Sequence, residues 1–325
     1  MRNTADLQQL YTTYLISHRF DQSPAELYAP VNYIMELGGK RLRPVLTLLS
    51  YQLFRPDVEK VLPAAHAVEL FHNFSLVHDD IMDAAPLRRG RPTVHERYDR
   101  NTAILSGDVM LIYVYDFLTR TGDPSVQPAL FRIFNRIAIE VCEGQQLDMN
   151  FERRTDVQIE EYIDMIAKKT AALISGALEL GAVAAGAGEE DLQRLAAFGR
   201  HIGIAFQLQD DILDTFGDPD KFGKKIGGDI VQNKKTYLMI KALEVAGPEL
   251  RRELLHFLTT PTDNERLKVE RVTAILQELN IPEAAEATKR RHQQFAFDQF
   301  RAVEAAAERK KPLLDLAHQL LGREM

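Results

Sequence analysis

Tryptophan is missing from this 325-residue chain, and cysteine occurs once, at Cys142. One thiol excludes an intramolecular disulfide and a thiolate-only metal cage, and fits a reducing compartment. Cys142 itself reads as a small buried apolar residue. An excess of basic charge is missing too: 40 Lys and Arg stand against 47 Asp and Glu, a net charge of -7. No broad cationic surface is on offer to a polyanion such as nucleic acid, so any phosphate site must be built locally from particular cations. Nor is there an apolar run of membrane-spanning character. The longest weakly polar stretch, Thr170 to Gly188, is interrupted by Glu179 and rich in Ala and Gly, as in a tightly packed interior helix. The opening residues Met1-Arg2-Asn3-Thr4-Ala5-Asp6 meet charge at once and lack the apolar run of a signal peptide, so the cytoplasm is the expected location.

Alternating Val/Ile/Thr stretches bounded by hairpin signals are likewise absent, while apolar residues recur at three- and four-residue intervals almost throughout. That periodicity predicts an all-α protein. Breaks are expected at Ser23-Pro24, where Glu26 completes a capping-box pattern, and at Gly122-Asp123-Pro124, Gly186-Ala187-Gly188, Gly217-Asp218-Pro219, Gly247-Pro248, Thr260-Pro261 and Ile281-Pro282. Roughly ten helical stretches lie between them by this punctuation. No Ser- or Pro-rich linker and no low-complexity tract divides the chain, so residues 1–325 are expected to form one domain.

What is present is concentrated acidity. Asp79-Asp80-Ile81-Met82-Asp83 recurs as Asp210-Asp211-Ile212-Leu213-Asp214, each copy following an apolar helical run. On a helix the first and last Asp of each cluster are four residues apart, stacked on one face about 6 Å apart. Repelling anions at the end of a buried helix need a counter-charge. Magnesium suits them: it prefers oxygen ligands and is usually held by one or two carboxylates plus substrate phosphates. One such cluster could be a surface or capping feature. Two copies with the same internal spacing favour a pair of metal-bridged diphosphate grips.

Basic residues accompany both clusters. Gly38-Gly39-Lys40-Arg41-Leu42-Arg43-Pro44 sets cations beside two glycines, where backbone can come close to an anion. It suggests a second diphosphate site that needs no metal. The spacing of a P-loop and its preceding strand are both missing. Leu87-Arg88-Arg89-Gly90-Arg91-Pro92-Thr93 follows the first Asp cluster; Phe222-Gly223-Lys224-Lys225-Ile226-Gly227-Gly228-Asp229 and Asn233-Lys234-Lys235-Thr236 follow the second. Alone, each basic group is an ordinary solvated feature; their placement favours function.

With these residues in view, the chain resembles the trans-isoprenyl diphosphate synthases, or polyprenyl synthetases, from about Tyr33 to Tyr237. The resemblance rests on the Gly-Gly-Lys-Arg-Leu-Arg-Pro segment, both Asp-rich motifs, the Arg-Arg-Gly turn, Gly144-Gln145-Gln146-Leu147-Asp148, Lys169-Thr170, Phe206-Gln207 and the Gly-Lys and Lys-Lys-Thr signals. It implies one bundle of long helices around a central cavity, as a homodimer, with about three magnesium ions per active site. It further implies that Asp79, Asp83 and Asp210 bind magnesium on the allylic diphosphate, with Asp80, Asp148, Asp211 and Asp214 as supporting ligands. Arg88, Lys169, Lys224 and Lys234 would neutralise that diphosphate, and Lys40, Arg43, His72 and Arg89 would hold isopentenyl diphosphate. Thr170 and Gln207 would turn oxygen toward an allylic cation, next to Lys169.

The resemblance also places a floor for the growing chain at Phe74, five residues before the first Asp, with Ser75 and Phe71 beside it. Helix rise sets Phe74 roughly 7–8 Å and Phe71 about 12 Å below Asp79, but an ideal wheel turns Phe74 about 140° from Asp79. Geometry alone does not choose among the three. A bulky floor and an uninterrupted first Asp cluster resemble short-chain synthases, with geranylgeranyl diphosphate expected and farnesyl diphosphate next. Two competing readings are a terpene cyclase, which has no use for the second diphosphate site at Lys40, Arg43 and Arg89, and a non-catalytic subunit, which need not retain both Asp clusters.

Overall fold

An apolar stripe at helical spacing is buried by laying it on a neighbouring helix, and the computed structural model, which describes residues 1–217, 227–260 and 264–322, follows that rule. The helices are α1 (Thr4–Ser17), α2 (Ala25–Glu36), α3 (Leu42–Phe54), α4 (Leu62–Met82), the single turn α5 (Val94–Arg97), α6 (Arg100–Thr119), α7 (Gln127–Glu152), α8 (Ile159–Ile166), α9 (Ala172–Ala184) and α10 (Glu189–Phe216). After them come the short α11 (Gly228–Val231), α12 (Tyr237–Val245), α13 (Pro248–Thr259), α14 (Glu265–Glu278), α15 (Ile281–Ala302) and α16 (Ala307–Leu321). Among the described residues, the one sheet is the antiparallel ribbon of Leu87–Arg88 with Arg91–Pro92. The protein is all-α, as its periodicity predicts.

The Gly and Pro punctuation acts as expected at several ends. Gly247 caps α13 with Pro248 as its first residue, Pro282 sits in the first turn of α15 behind Asn280, and Gly186 beyond α9 takes a φ of 77°. The capping box expected at Ser23 does not form: α2 starts one residue later, capped by Pro24 with no side-chain hydrogen bond.

The chain divides into two compact units, the first built from Met1–Arg136, Gly176–Gln193 and Glu304–Leu314, the second from the other described residues. In the first, α4 is the central helix, packed by α6, α3, α2 and α1. Its buried side chains include Leu70, Phe71 and Val77, and also the polar His66, Glu69, Asn73 and Asp80. In the second, Tyr162, Leu208, Ile212, Leu238, Val272 and Ile275 belong to one apolar core.

One expectation about burial is corrected. Cys142 is exposed: on α7 the inward positions fall at Val141 and Gly144, and Cys142 joins the outward stripe of Ile139 and Met149. Among the described residues, α6 has the length and hydropathy of a membrane span. Its inner face, with Ala103, Met110, Val114 and Phe117 buried, packs on α4 and α2, while Ile104, Leu105, Ile112 and Tyr115 face outward.

His66 is buried in α4, its Nδ1 3.2 Å from the Tyr11 hydroxyl and its ring edge-on to Phe117. Burial, followed by the charges of His18, Arg41 and Arg120, lowers its pKa to about 3. The unfolded chain takes up a proton near pH 6.5 that the folded chain refuses, so this contribution is intact above that pH and declines as pH falls toward 3. The slope is up to about 1.4 kcal/mol per pH unit. Urea unfolding between pH 7.5 and 4.5 is expected to show falling stability, with a shallower slope in His66→Leu; equal midpoints at pH 7 and 5 would contradict this.

Candidate active site

In the first unit, the last turn of α4 carries Asp79 and Asp80, and Asp83 is the helix's C-cap, its N–H donating to the Asp79 carbonyl at 2.9 Å. Carboxylates at a helix C-terminus oppose the helix dipole and call for a cation. Asp80, 1% exposed, turns inward and accepts from Nε and Nη2 of Arg88 at 2.8 and 2.7 Å. Arg88 also lies 3.8 Å from Asp79. Burial pulls the pKa of Arg88 down, and Asp80, Asp79 and Asp83 more than reverse this, leaving it above its ordinary value. Both oxygens of Asp80, expected as a supporting metal ligand, are therefore engaged by Arg88.

The two-residue ribbon presents Arg88 and Arg89 from one end of a clamped loop. Its other strand is pinned where the Tyr33 hydroxyl donates to the Pro92 carbonyl at 2.6 Å, and Thr93 donates to Ala85 at 2.8 Å. Arg89 takes a φ of 53° and donates through Nη1 to the Gly38 carbonyl. Gly39, with φ 123°, has room for no side chain: a Cβ there would come within 2.9 Å of the Arg89 guanidinium. The Gly-Gly turn and the Arg-Arg-Gly turn thus meet, as their shared assignment to one diphosphate requires.

Arg43 and His72 join them. Arg43 Nη1 is 3.1 Å from His72 Nε2. Burial first, then the guanidinium groups of Arg43, Arg89, Arg88 and Arg41, hold the His72 pKa well below 6.5. His72 is therefore neutral, and its Nε2 accepts from Arg43, orienting that cation. Lys40 is exposed. Sequence reasoning did not single out Arg41 and Glu69, a buried ion pair at 2.7 Å in which Arg41, at φ 49°, also donates to the Met35 carbonyl. The signal was there: Glu69 is the lone carboxylate within the apolar run Leu62–Val77.

Of the three candidate floor residues, Phe74 stacks edge-on to His78 at 4.7 Å and lies 5.6 Å from Phe71. Phe71 is buried against Phe134 at 5.2 Å. Ser75 donates to the His72 carbonyl at 2.8 Å.

In the second unit the organising element is a π turn, Ala167–Ala171, between α8 and α9. Two helices approach it through glycine. A Cβ on Gly144 of α7 would meet the Lys169 nitrogen at 2.3 Å, and one on Gly203 of α10 would meet Ala171 at 2.5 Å. The turn presents Lys169, whose Nζ donates to Asp148 at 2.5 Å, and Thr170, whose hydroxyl donates to Gln207 Oε1 at 3.1 Å. Gln207 Nε2 donates to Asp211 at 3.1 Å, and the Tyr162 hydroxyl donates to the other oxygen of Asp211. Burial raises the Asp211 pKa to about 7, against the opposing hydrogen bonds from Tyr162 and Gln207.

Asp210 and Asp214 are partly exposed on the same helix. Asp214 accepts the Asp229 N–H at 2.9 Å, and Asp229 pairs with Lys234 at 3.1 Å. Lys224 lies outside the described residues. Tyr162 and Asp229 are site neighbours to which sequence reasoning gave no role.

Each unit thus gathers its expected residues, with Asp79, Asp80, Asp83, Arg88, Arg89, Arg43 and His72 in one and Asp148, Lys169, Thr170, Gln207, Asp211 and Lys234 in the other. Among the described residues no three His, Cys, Asp or Glu side chains form a group that would cage a metal. Pairs of hard carboxylate oxygens are what Mg²⁺ takes when phosphate supplies the remaining ligands, so the donor set fits that ion.

The polyprenyl synthetase family model matches residues 24–277. A short chain isoprenyl diphosphate synthase of Methanocaldococcus jannaschii is 42% identical over 252 residues, 78% of this chain and 76% of that one. A geranylgeranyl diphosphate synthase of Sulfolobus acidocaldarius is 43% identical over 236 residues, 72% of each chain. A crystal structure of a geranylgeranyl pyrophosphate synthase superposes with a TM-score of 0.94 at 42% identity over the whole of both chains. The chain belongs to the polyprenyl synthetase family. It is a short-chain trans-prenyltransferase, and membership implies metal-dependent catalysis.

Gly144→Ala is expected to push the π turn off α7, since backbone and not a flexible side-chain tip stands in the way. An overpacking cost of about 1–3 kcal/mol and a fall of at least tenfold in kcat are expected with helical circular dichroism retained. Wild-type kcat in that variant would show that the position of Lys169 and Thr170 is not critical.

Proposed function

We propose that this chain condenses isopentenyl diphosphate with an allylic diphosphate, with magnesium, to give geranylgeranyl diphosphate and free diphosphate, farnesyl diphosphate being the second choice of product. The single observation that carries the reading is the convergence of Arg89, the Gly38-Gly39 turn, Arg43 and His72. A cyclase using one diphosphate has no need of that second basic site. The family match runs through residues of both units, which supports their acting as one catalytic domain.

In this reading Lys40, Arg43 and Arg89 hold isopentenyl diphosphate, and neutral His72 fixes the Arg43 guanidinium. Asp79, Asp83 and Asp210 hold magnesium, with Asp214 and Asp148 nearby in support. Magnesium, when bound with substrate, neutralises the diphosphate leaving group. Arg88, Lys169, Lys224 and Lys234 add cationic charge for the same anion. The allylic C–O bond breaks, the alkene of isopentenyl diphosphate forms the new C–C bond, and a proton leaves the adjacent carbon for the departed diphosphate. Thr170 and Gln207 oxygens stabilise the positive charge on the allylic carbon meanwhile. Holding both substrates in register and excluding water supplies much of the rate.

Phe74, leaning on buried Phe71, closes the space for the product tail. The outward apolar stripes of α6 (Ile104, Leu105, Ile112, Tyr115) and α7 (Ile139, Met149) support a homodimer that covers them. A cytoplasmic location accords with the single cysteine.

Because the described residues offer carboxylates in pairs and no cage, magnesium is expected to bind at least tenfold more tightly with diphosphate present than without, as calorimetry would measure; equal affinities would remove the shared grip. Purified chain with magnesium, labelled isopentenyl diphosphate and each allylic primer is expected to yield a product of four isoprene units. Phe74→Ala should shift it to longer chains by mass spectrometry. No incorporation of label would refute the activity, and an unchanged product profile would remove Phe74 as the floor.

A further inference from the structure

Asp211 belongs to an acidic cluster that sequence offers to a metal, yet its carboxylate is held by protein on both sides. The Tyr162 hydroxyl donates to Oδ2, the Gln207 amide donates to Oδ1 at 3.1 Å, and the residue is 2% exposed. We propose that Tyr162 is a positioning residue for prenyl transfer, acting through Asp211 to set which way the Gln207 amide faces, and with it the Thr170 and Gln207 oxygens. The inference rests on the proposed function and deepens it at the same site.

The argument is one of donor and acceptor sense. Both Asp211 oxygens accept, Oδ2 from the Tyr162 hydroxyl and Oδ1 from the Gln207 amide, so Gln207 has its NH₂ turned toward Asp211. Its Oε1 is then aimed at Thr170, whose hydroxyl donates to it at 3.1 Å. Reversing the amide would set a carbonyl oxygen against a carboxylate and an NH₂ against a hydroxyl that already has a direction. The order of the chain, Tyr162 to Asp211 from one end and Gln207 to Asp211 then Thr170 to Gln207 from the other, leaves lone pairs on Thr170 Oγ1 and Gln207 Oε1. Those lone pairs are what a developing cation needs nearby. The four residues come from α8, the π turn and α10, so no local rule sets their alignment. Tyr162 holds the far side of the carboxylate; without its hydroxyl, Asp211 can rotate about its own side-chain torsion and release the amide.

The Tyr162 ring lies in the apolar core, so Tyr162→Phe keeps the packing and removes only the hydroxyl. Steady-state incorporation of labelled isopentenyl diphosphate, with a magnesium titration, is the test. A fall in kcat of about tenfold is expected, with KM for both diphosphates and the half-saturating magnesium concentration within twofold of wild type, since no phosphate or metal contact is removed. Unchanged kcat would overturn the role. A tenfold rise in the magnesium requirement would also overturn it, making Asp211 a metal ligand instead. If Tyr162→Phe does not fold, Asp211→Asn, which removes the doubly accepting carboxylate between Tyr162 and Gln207, carries the same test, with a fall in kcat at an unchanged magnesium requirement supporting the role and wild-type kcat overturning it. A wild-type chain that incorporates no label refutes the proposed function and this role with it, whereas an active wild type beside an unimpaired variant refutes the role alone.

Discussion

Carboxylates gathered on apolar helices repel one another and resist burial, and the arrangement of both units follows from how each is answered. Burying an unpaired charge is prohibitive, while a well-bonded pair is tolerated and can fix register. Glu69 is answered by Arg41, Asp80 by two nitrogens of Arg88, Asp211 by Tyr162 and Gln207, and Asp148 by Lys169. Apart from Gln207, which shares a helix with Asp211, each answer comes from a different element: Arg41 and Arg88 tie loop and ribbon to α4, Lys169 ties the π turn to α7, and Tyr162 ties α8 to α10. Arg41 and Arg89 sit in left-handed backbone, a conformation that non-glycine residues hold only where surrounding contacts dictate it. Those contacts are Glu69 for one and the Gly38 carbonyl for the other.

A division of labour among the aspartates results. Within each Asp-Asp pair the second member turns into the protein and is engaged by side chains, Asp80 with Arg88 and Asp211 with Tyr162 and Gln207. The first member, Asp79 or Asp210, remains partly exposed on its helix. Adjacent residues on a helix differ by about 100° in direction, which lets a doubled Asp at the edge of the buried face set one carboxylate into the protein and leave the other partly exposed. That gives a physical reason for the repeated pair that a metal-binding argument alone does not.

Glycine does comparable work where backbones must nearly touch. Gly39 makes way for the Arg89 guanidinium, and Gly144 and Gly203 let α7 and α10 close on the π turn. A π turn widens the helix locally and re-aims side chains, here Lys169 and Thr170. Any side chain at either helix glycine would push the turn away from Gln207 and Asp148.

Much of this was legible in the residues. The all-α fold follows from period and punctuation, and the two Asp clusters, the paired basic turns and Lys169, Thr170 and Gln207 stand out in the sequence by type and spacing. What the sequence left open has a common cause. Cys142 was expected inside because cysteine usually is, but the face of α7 it occupies is decided by which positions Val141 and Gly144 turn inward. At His72 it is burial first, and then the guanidiniums gathered around it, both invisible in one dimension, that keep the ring neutral. Residue types and local spacing are properties of the chain, so helix period, charge clustering and the need for a counter-ion were settled by sequence. Which oxygen each donor reaches, and hence which aspartate stays partly exposed and which meets a tyrosine, depends on contacts between residues up to 59 positions apart, and only packing in three dimensions decides those.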